Sequence, residues 1–168
     1  VKWASHYHFS PRWRSSFHYA WQHNIRQEYD LRRLTAAERA SGFAAPDLDL
    51  RVTSQTAEAI IEHDNIRSFR GMLGLSGMYQ ENTSQGRFFI PNYVNTTWGV
   101  FATERYVLPH VELEAGIRYD QKLLRSYYFV DKVWTISRRN FDNINANGGM
   151  IWKADSTFNL FVNAGTAW

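Results

Sequence analysis

Along most of this chain apolar and polar side chains alternate with a period of two. From Val111 to Asp120 the odd positions are Val, Leu, Ala, Ile and Tyr, and the even ones are Glu, Glu, Gly, Arg and Asp. That is the pattern of a strand with one apolar and one polar face. From Trp13 to Ile25 the odd positions read Trp, Ser, Phe, Tyr, Trp, His, Ile, against Arg, Ser, His, Ala, Gln, Asn at the even ones. The split returns at Val1 to Phe9 and, less cleanly, at Phe158 to Trp168. Eight strands are predicted, at about 1–10, 13–29, 48–63, 69–83, 96–108, 111–129, 140–154 and 158–168. Residues that favour tight turns stand at Ser10-Pro11-Arg12, around Asp64-Asn65, at Pro109-His110 and at Asp155-Ser156-Thr157. Longer polar loops are expected between them, at 30–47, 84–95 and 130–139. The run Leu31 to Gly42 carries good helix formers and a terminal Gly, so it reads as a short helical turn within the first long loop.

Consecutive hairpins with one trimmed and one elaborated rim are the habit of membrane β-barrels. Most of the predicted strands run ten residues or more, enough for the roughly 9 to 11 that cross hydrocarbon and longer than the usual soluble strand. Rings mark the strand ends: Trp3, Phe9, Trp13, Trp21, Trp98, Trp152 and Trp168 are the candidate membrane-interface aromatics. Trp13 and Trp21 share a face, and eight residues of tilted strand separate them by about 20 Å in height, close to the ~25 Å apolar band of such barrels. The other face, with Arg14, His18, Asn24, Glu112, Glu114, Arg118 and Asp120, suits a water-filled or plugged lumen. One strand resists the phase. A two-residue turn at Pro109-His110 would set Glu104 on the lipid side, so a longer turn or a bulge is expected there.

Composition narrows the picture without changing it. The 168 residues are 44% hydrophobic and 16% aromatic, yet mean hydropathy is −0.47, so apolar mass is dispersed among polar neighbours. No run approaches the roughly 18 to 20 apolar residues of a transmembrane helix. The chain opens on Val1-Lys2-Trp3 already in alternation, with no signal peptide to be read there. The net charge of +3 is not sorted into blocks, which excludes the basic stripe of a nucleic-acid binder. With no cysteine there is no disulfide framework, thiolate zinc site or Cys nucleophile.

Three stretches carry a family resemblance: Phe88-Phe89-Ile90-Pro91-Asn92-Tyr93, Trp98 to Tyr106, and Leu113 to Asp120. With Gln22 to Asp30, and with Gly148-Gly149-Met150-Ile151-Trp152-Lys153 followed by Phe158 to Gly165, they resemble the barrel of TonB-dependent outer-membrane receptors. The resemblance implies an all-β, antiparallel, up-and-down transmembrane segment of about eight strands, a slice of a 22-stranded barrel, with residues 1–168 wholly in the barrel domain. It also implies a receptor in the bacterial outer membrane that imports a scarce ligand, an iron-siderophore or other metal chelate. The implied partners are outer-membrane lipid, the receptor's own plug and remaining strands, the TonB complex and the chelate, with no resident cofactor. Val1 and Trp168 both fall within predicted strands, so a middle slice of the barrel is expected.

Candidate chemistry is sparse. Arg26, Glu28, Arg32 and Arg33 gather where a strand enters the longest loop, and Arg87 and Arg138 stand at the ends of the other two. Such arginines suit carboxylate or catecholate oxygens of an anionic chelate, or are ordinary solvated loop charges. Phe88, Phe89, Tyr93 and Tyr127-Tyr128-Phe129 offer stacking surfaces, or serve as girdle and loop packing. His6 and His8 share a strand face, and pairing Phe9 with Trp13 sets Ala4 opposite His18 and His6 opposite Ser16, so His6 and His18 become diagonal neighbours. They are weak metal candidates, because no nearby carboxylate is seen on that face. Glu112 and Glu114 read as partners of Arg118 or of a cross-strand Arg. No HExxH, GxSxG, Walker A or GxGxxG motif occurs, so an enzyme is not expected. The alternative is a self-contained eight-stranded barrel, lipocalin-like or a small outer-membrane protein. A β-sandwich module is disfavoured by its long strands and charged wet face.

Overall fold

The computed structural model describes residues 1–30, 32, 35–42, 45–86, 90–130, 133–155 and 157–166. Eight strands form one sheet in chain order: β1 (Lys2–Ser10), β2 (Trp13–Glu28), β3 (Leu48–Ile66), β4 (Phe69–Gly86), β5 (Asn92–Val107), β6 (Val111–Val130), β7 (Val133–Lys153) and β8 (Asn159–Gly165). Each pairs antiparallel with the next, and β1 and β8 are the two edges. A closed eight-stranded barrel would pair those edges, so the self-contained alternative lacks its defining contact in this sheet. No helix is long and apolar enough to cross a membrane.

Continuous pairing carries one row of side chains across the sheet: Trp13, His63, Gly71, Glu104, Ala115, Gly148 and Ala164 are register partners in turn. Every second row from it belongs to the same face, where β2 shows Phe17 and Trp21, β4 Leu73 and Leu75, β6 Leu113 and Ile117, and β7 Ile144 and Met150. These side chains are exposed, Phe17 excepted, which is half-buried, and Leu48 alone among the described apolar residues is buried. A chain so rich in apolar groups with no interior to hold them is built to meet an apolar surrounding on that face. The apolar runs are nine residues long, from Trp13 to Trp21, Trp98 to Tyr106 and Ile144 to Trp152, which spans about 20 Å in a strand tilted near 40°.

Three expectations change. The loop expected at 130–139 is a hairpin: β6 and β7 stay paired to Val130 opposite Val133. Likewise β4 runs to Gly86 and β5 begins at Asn92, which shortens the loop expected at 84–95. Beyond the apolar runs both faces are mixed, with Gln121, Arg125, Arg138, Asn140 and Asp142 interspersed among Leu123, Phe129, Trp134 and Ile136, so the alternation signal fades while the hydrogen-bond ladder continues. The turn expected around Asp64-Asn65 lies at Arg67-Ser68, with a register shift between His63 and Ile66. Arg67 and Ser68 both have positive φ, 51° and 70°, as a two-residue hairpin turn following strand twist requires.

Neither the longer turn nor the bulge expected near Glu104 is present. Leu108 N donates to Val111 O at 2.8 Å, and β5 and β6 pair without interruption from Val107 to Asn92. Glu104 therefore does stand on the apolar face. The bulge is instead in the first hairpin, where the register shifts between His8 and Ser10 and Ser10 takes the place opposite Trp13 expected for Phe9.

Candidate functional site

The polar face holds a ladder of cross-strand ion pairs close to the short-turn rim. Arg14 on β2 pairs with Glu62 on β3, Arg105 on β5 with Glu114 on β6, and Glu112 on β6 with Lys153 on β7. The first two join register partners, where Cβ atoms are about 5 Å apart, and the third joins diagonal neighbours, Ile151 being the register partner of Glu112. Glu114 thus takes the cross-strand arginine expected of it, and Arg118 goes elsewhere. Its guanidinium forks onto Asp120 at 2.7 and 2.6 Å, donates to Ser76 Oγ at 2.9 Å and lies 5.2 Å from the centre of the Phe101 ring. Glycines make the room: a Cβ at Gly99 would strike Asp120 and Arg118, and one at Gly74 would strike Phe101. Beside this knot lies a hollow of about 630 Å³, lined on the polar side by Lys2, His18, Glu58, Ser76 and Arg118.

His6 and His18 meet as diagonal neighbours, with Ala4 opposite His18 and His6 opposite Ser16, ring centres 5.5 Å apart and edge-on. A carboxylate does share their face: Glu58 is the register partner of His18, with Oε1 3.7 Å from Nδ1. Sequence reading missed it because the β2–β3 register, across a long loop, decides which residue faces His18. His8 stands two residues further along β1, opposite Arg14. Among the described residues no three His, Asp or Glu side chains come together as a metal-ion site.

At the long-loop rim Arg26 and Glu28 share the polar face and pair at 2.5 Å. Arg51 forks onto Asp49 at 3.0 and 2.8 Å, and Gln27 donates to Asp49 at 3.1 Å. Tyr93, on the polar face of β5, donates its hydroxyl to Gln80 at 2.9 Å. Arg32 lies in the loop, its backbone N–H donating to Asp30 at 3.1 Å. Arg138 is on the opposite face, with Arg125 as its register partner. Arg26, Glu28 and Tyr93 therefore share a face, and Arg138 does not join them. Arg33, Arg87, Phe88 and Phe89 lie outside the described residues. The loop holds helix α1 (Ala36–Ser41), started by Thr35, whose hydroxyl accepts from Glu38 N at 3.2 Å while Glu38 accepts from Thr35 N at 2.8 Å, and stopped by Gly42 at φ 68°. The Thr35 hydroxyl and backbone hold the Glu38 carboxyl below the usual carboxylate range.

The expected interface aromatics stand at the two ends of the apolar runs. Toward the short turns Phe9 packs edge-on against Tyr7 at 4.9 Å, Trp13 lies 5.3 Å from the His63 ring, and Trp152 is the register partner of Val111 and Leu160. Toward the long loops Trp21 stacks on His23 at 6.0 Å, Trp3 meets Phe17 at 5.4 Å, and Trp98 meets Tyr119 at 5.5 Å and donates to Gln121 at 2.9 Å. Trp168 lies outside the described residues.

Known proteins bear on this geometry. The family model described as TonB dependent receptor-like, beta-barrel, matches residues 2–168. Among solved structures the fold is similar to the ferric yersiniabactin uptake receptor FyuA from Yersinia pestis, with TM-score 0.63, 10% identity, and 96% of this chain covering 26% of that one. It is similar to the ferric-catecholate import receptor Fiu from E. coli K12, with TM-score 0.65, 12% identity, and 98% covering 34%. It is also similar to the copper transporter OprC, with TM-score 0.61, 16% identity, and 94% covering 28%. The chain thus spans between 26% and 34% of the length of these structures. No match is found among curated proteins.

Proposed function

The chain belongs to the TonB-dependent receptor β-barrel family, and from that premise we propose that it serves, as part of a larger barrel, in the import of a metal chelate across the bacterial outer membrane. The observation that carries the reading is the family match over the whole length of a sheet whose apolar residues are exposed on one face and whose paired charges occupy the other. In this reading the apolar face meets lipid, with the aromatic rows at its two interfaces. The polar face lines the lumen, where Arg118, Glu58 and the rim ladder meet the plug and water. The short turns face the periplasm and the long hairpins the exterior.

Two of the similar structures are titled as receptors for ferric chelates and one as a copper transporter. An anionic ferric chelate suits the guanidinium groups of the long-loop rim, Arg26, Arg32, Arg33 and Arg87, with Phe88, Phe89 and Tyr93 as stacking surfaces and Glu28 as the group that orients Arg26, while Arg138, on the other face, is left out of the set. The test is binding to the intact receptor, titrated with ferric catecholate, ferric hydroxamate, haem and copper ion and followed by tryptophan fluorescence. Saturable binding of a ferric chelate, weakened about tenfold by Arg26→Ala, is the expected result for loss of a charge-assisted contact. Saturation by copper ion alone would replace the chelate reading, and no saturation by any of the four would remove it.

A further inference from the structure

One pair of ionisable groups interrupts the apolar face near the short turns. In the three successive rows that contain Trp13, Ser15 and Phe17, His63 and Glu104 are the sole His, Lys, Arg, Asp or Glu side chains. They occupy the same row on β3 and β5, with Gly71 of β4 between them. His63 Nε2 and Glu104 Oε2 are 3.1 Å apart. Glycine is what lets them meet: a Cβ at Gly71 would run into the Glu104 carboxylate. Trp13 covers the imidazole from the other side. Glu104 is 45% exposed, and its second oxygen, Oε1, has no partner among the described residues.

An ionisable group at a lipid-facing position is expensive and marks a functional site. This one has a definite setting. A hollow of about 560 Å³ opens beside it, with walls supplied by Trp13, Ile61, Leu73, Ala102, Ala115 and Ile117. Side by side, the apolar face thus presents an apolar hollow and a carboxylate oxygen lacking a donor. An acyl chain and an ammonium group would complement them.

We propose that this row is a binding site for a zwitterionic phospholipid with a primary ammonium headgroup. Its N–H groups donate to Glu104 Oε1 and an acyl chain fills the hollow. His63 holds the carboxylate through Oε2 and leaves Oε1 aimed at the ligand. A trimethylammonium headgroup has no N–H to donate, so the site distinguishes ethanolamine from choline lipids. The proposal rests on the membrane reading above, and its test separates the two.

The intact receptor is reconstituted into vesicles of equal phosphatidylethanolamine and phosphatidylcholine, floated, extracted gently and weighed by native mass spectrometry with its retained lipid. The expected result is ethanolamine lipid retained over choline lipid by roughly two- to fivefold, the size of a half-exposed charge pair. That preference is expected to vanish in Glu104→Leu, which leaves no acceptor, and to survive in His63→Gln, with both variants floating as the parent does. Insertion without a preference, or a preference that persists in Glu104→Leu, overturns this proposal alone. A dimer mass in place of retained lipid overturns it in favour of a second copy on the same face. Failure of the receptor to float overturns the membrane reading and this proposal with it.

Discussion

Arg67 and Ser68 turn β3 into β4 with φ of 51° and 70°, a conformation that costs an L-residue about 1 kcal/mol and glycine almost nothing. Ser68→Gly is therefore expected to stabilise the barrel by about 1 kcal/mol, read as a higher urea midpoint for the intact receptor in vesicles. Gly74 presents the opposite case. The Phe101 ring lies over it and holds the Arg118 guanidinium on its outer side, so Gly74→Ala is expected to cost about 1–3 kcal/mol in the same assay as Phe101 is displaced. A smaller loss would mean that the ring is free to move. The turn chemistry at Asp64-Asn65 was readable as a turn signal, and Asn65 does take a positive φ of 52°. It forms part of the irregular stretch before the turn because the ladder to β4 resumes at Ile66. Glu104 was readable too, since a two-residue turn sets its phase. Its tolerance on the apolar face was not, because that depends on His63 meeting it across a glycine two strands away.

Local sequence accounts for helix α1. Thr35 and Glu38 close a reciprocal cap, and Gly42 ends the helix in the left-handed region. The Glu38 carboxyl is held below its ordinary value, first by the Thr35 hydroxyl and then by backbone donors. A carboxyl with a lower pKa folded than unfolded supports the helix fully above the unfolded value and loses that support as pH falls through the folded one. Lowering pH from about 6 to about 3 is expected to lower the protection of the Arg39 amide, read as its exchange rate divided by the intrinsic rate at the same pH. Thr35→Ala should already show exchange faster by on the order of fivefold near neutrality, with little further dependence on acid. Equal acid sensitivity in both proteins would show that the cap does not hold the helix. The strands behave differently at their long-loop ends. β6 and β7 keep pairing for about ten residues past their apolar runs, where polar and apolar groups mix on both faces and no alternation is kept. Extended backbone there is held by the ladder, so a reading based on hydrophobic period saw loops.

At the scale of the molecule, the fold is one sheet with two unlike faces. Adjacent residues of β7 test the division: Ile144 belongs to the apolar face and Asn143 to the polar one. In the intact receptor in vesicles, Ile144→Arg is expected to cost about 2–4 kcal/mol of unfolding free energy, and Asn143→Arg less than about 1. Equal costs would mean that neither face meets hydrocarbon. The alternation, the eight strands, the tight turns, the two faces and even the diagonal meeting of His6 and His18 follow from the sequence by itself, because a strand's period of two and a short hairpin's register are local properties. Only the tertiary structure decided which residues face one another across long connections: Glu58 before His18, Ser76 and Phe101 around Arg118, Glu104 beside His63. It also decided that the sheet stays open with its apolar side uncovered. Those contacts join residues far apart in the chain, and nothing in a local pattern specifies the register that brings them together.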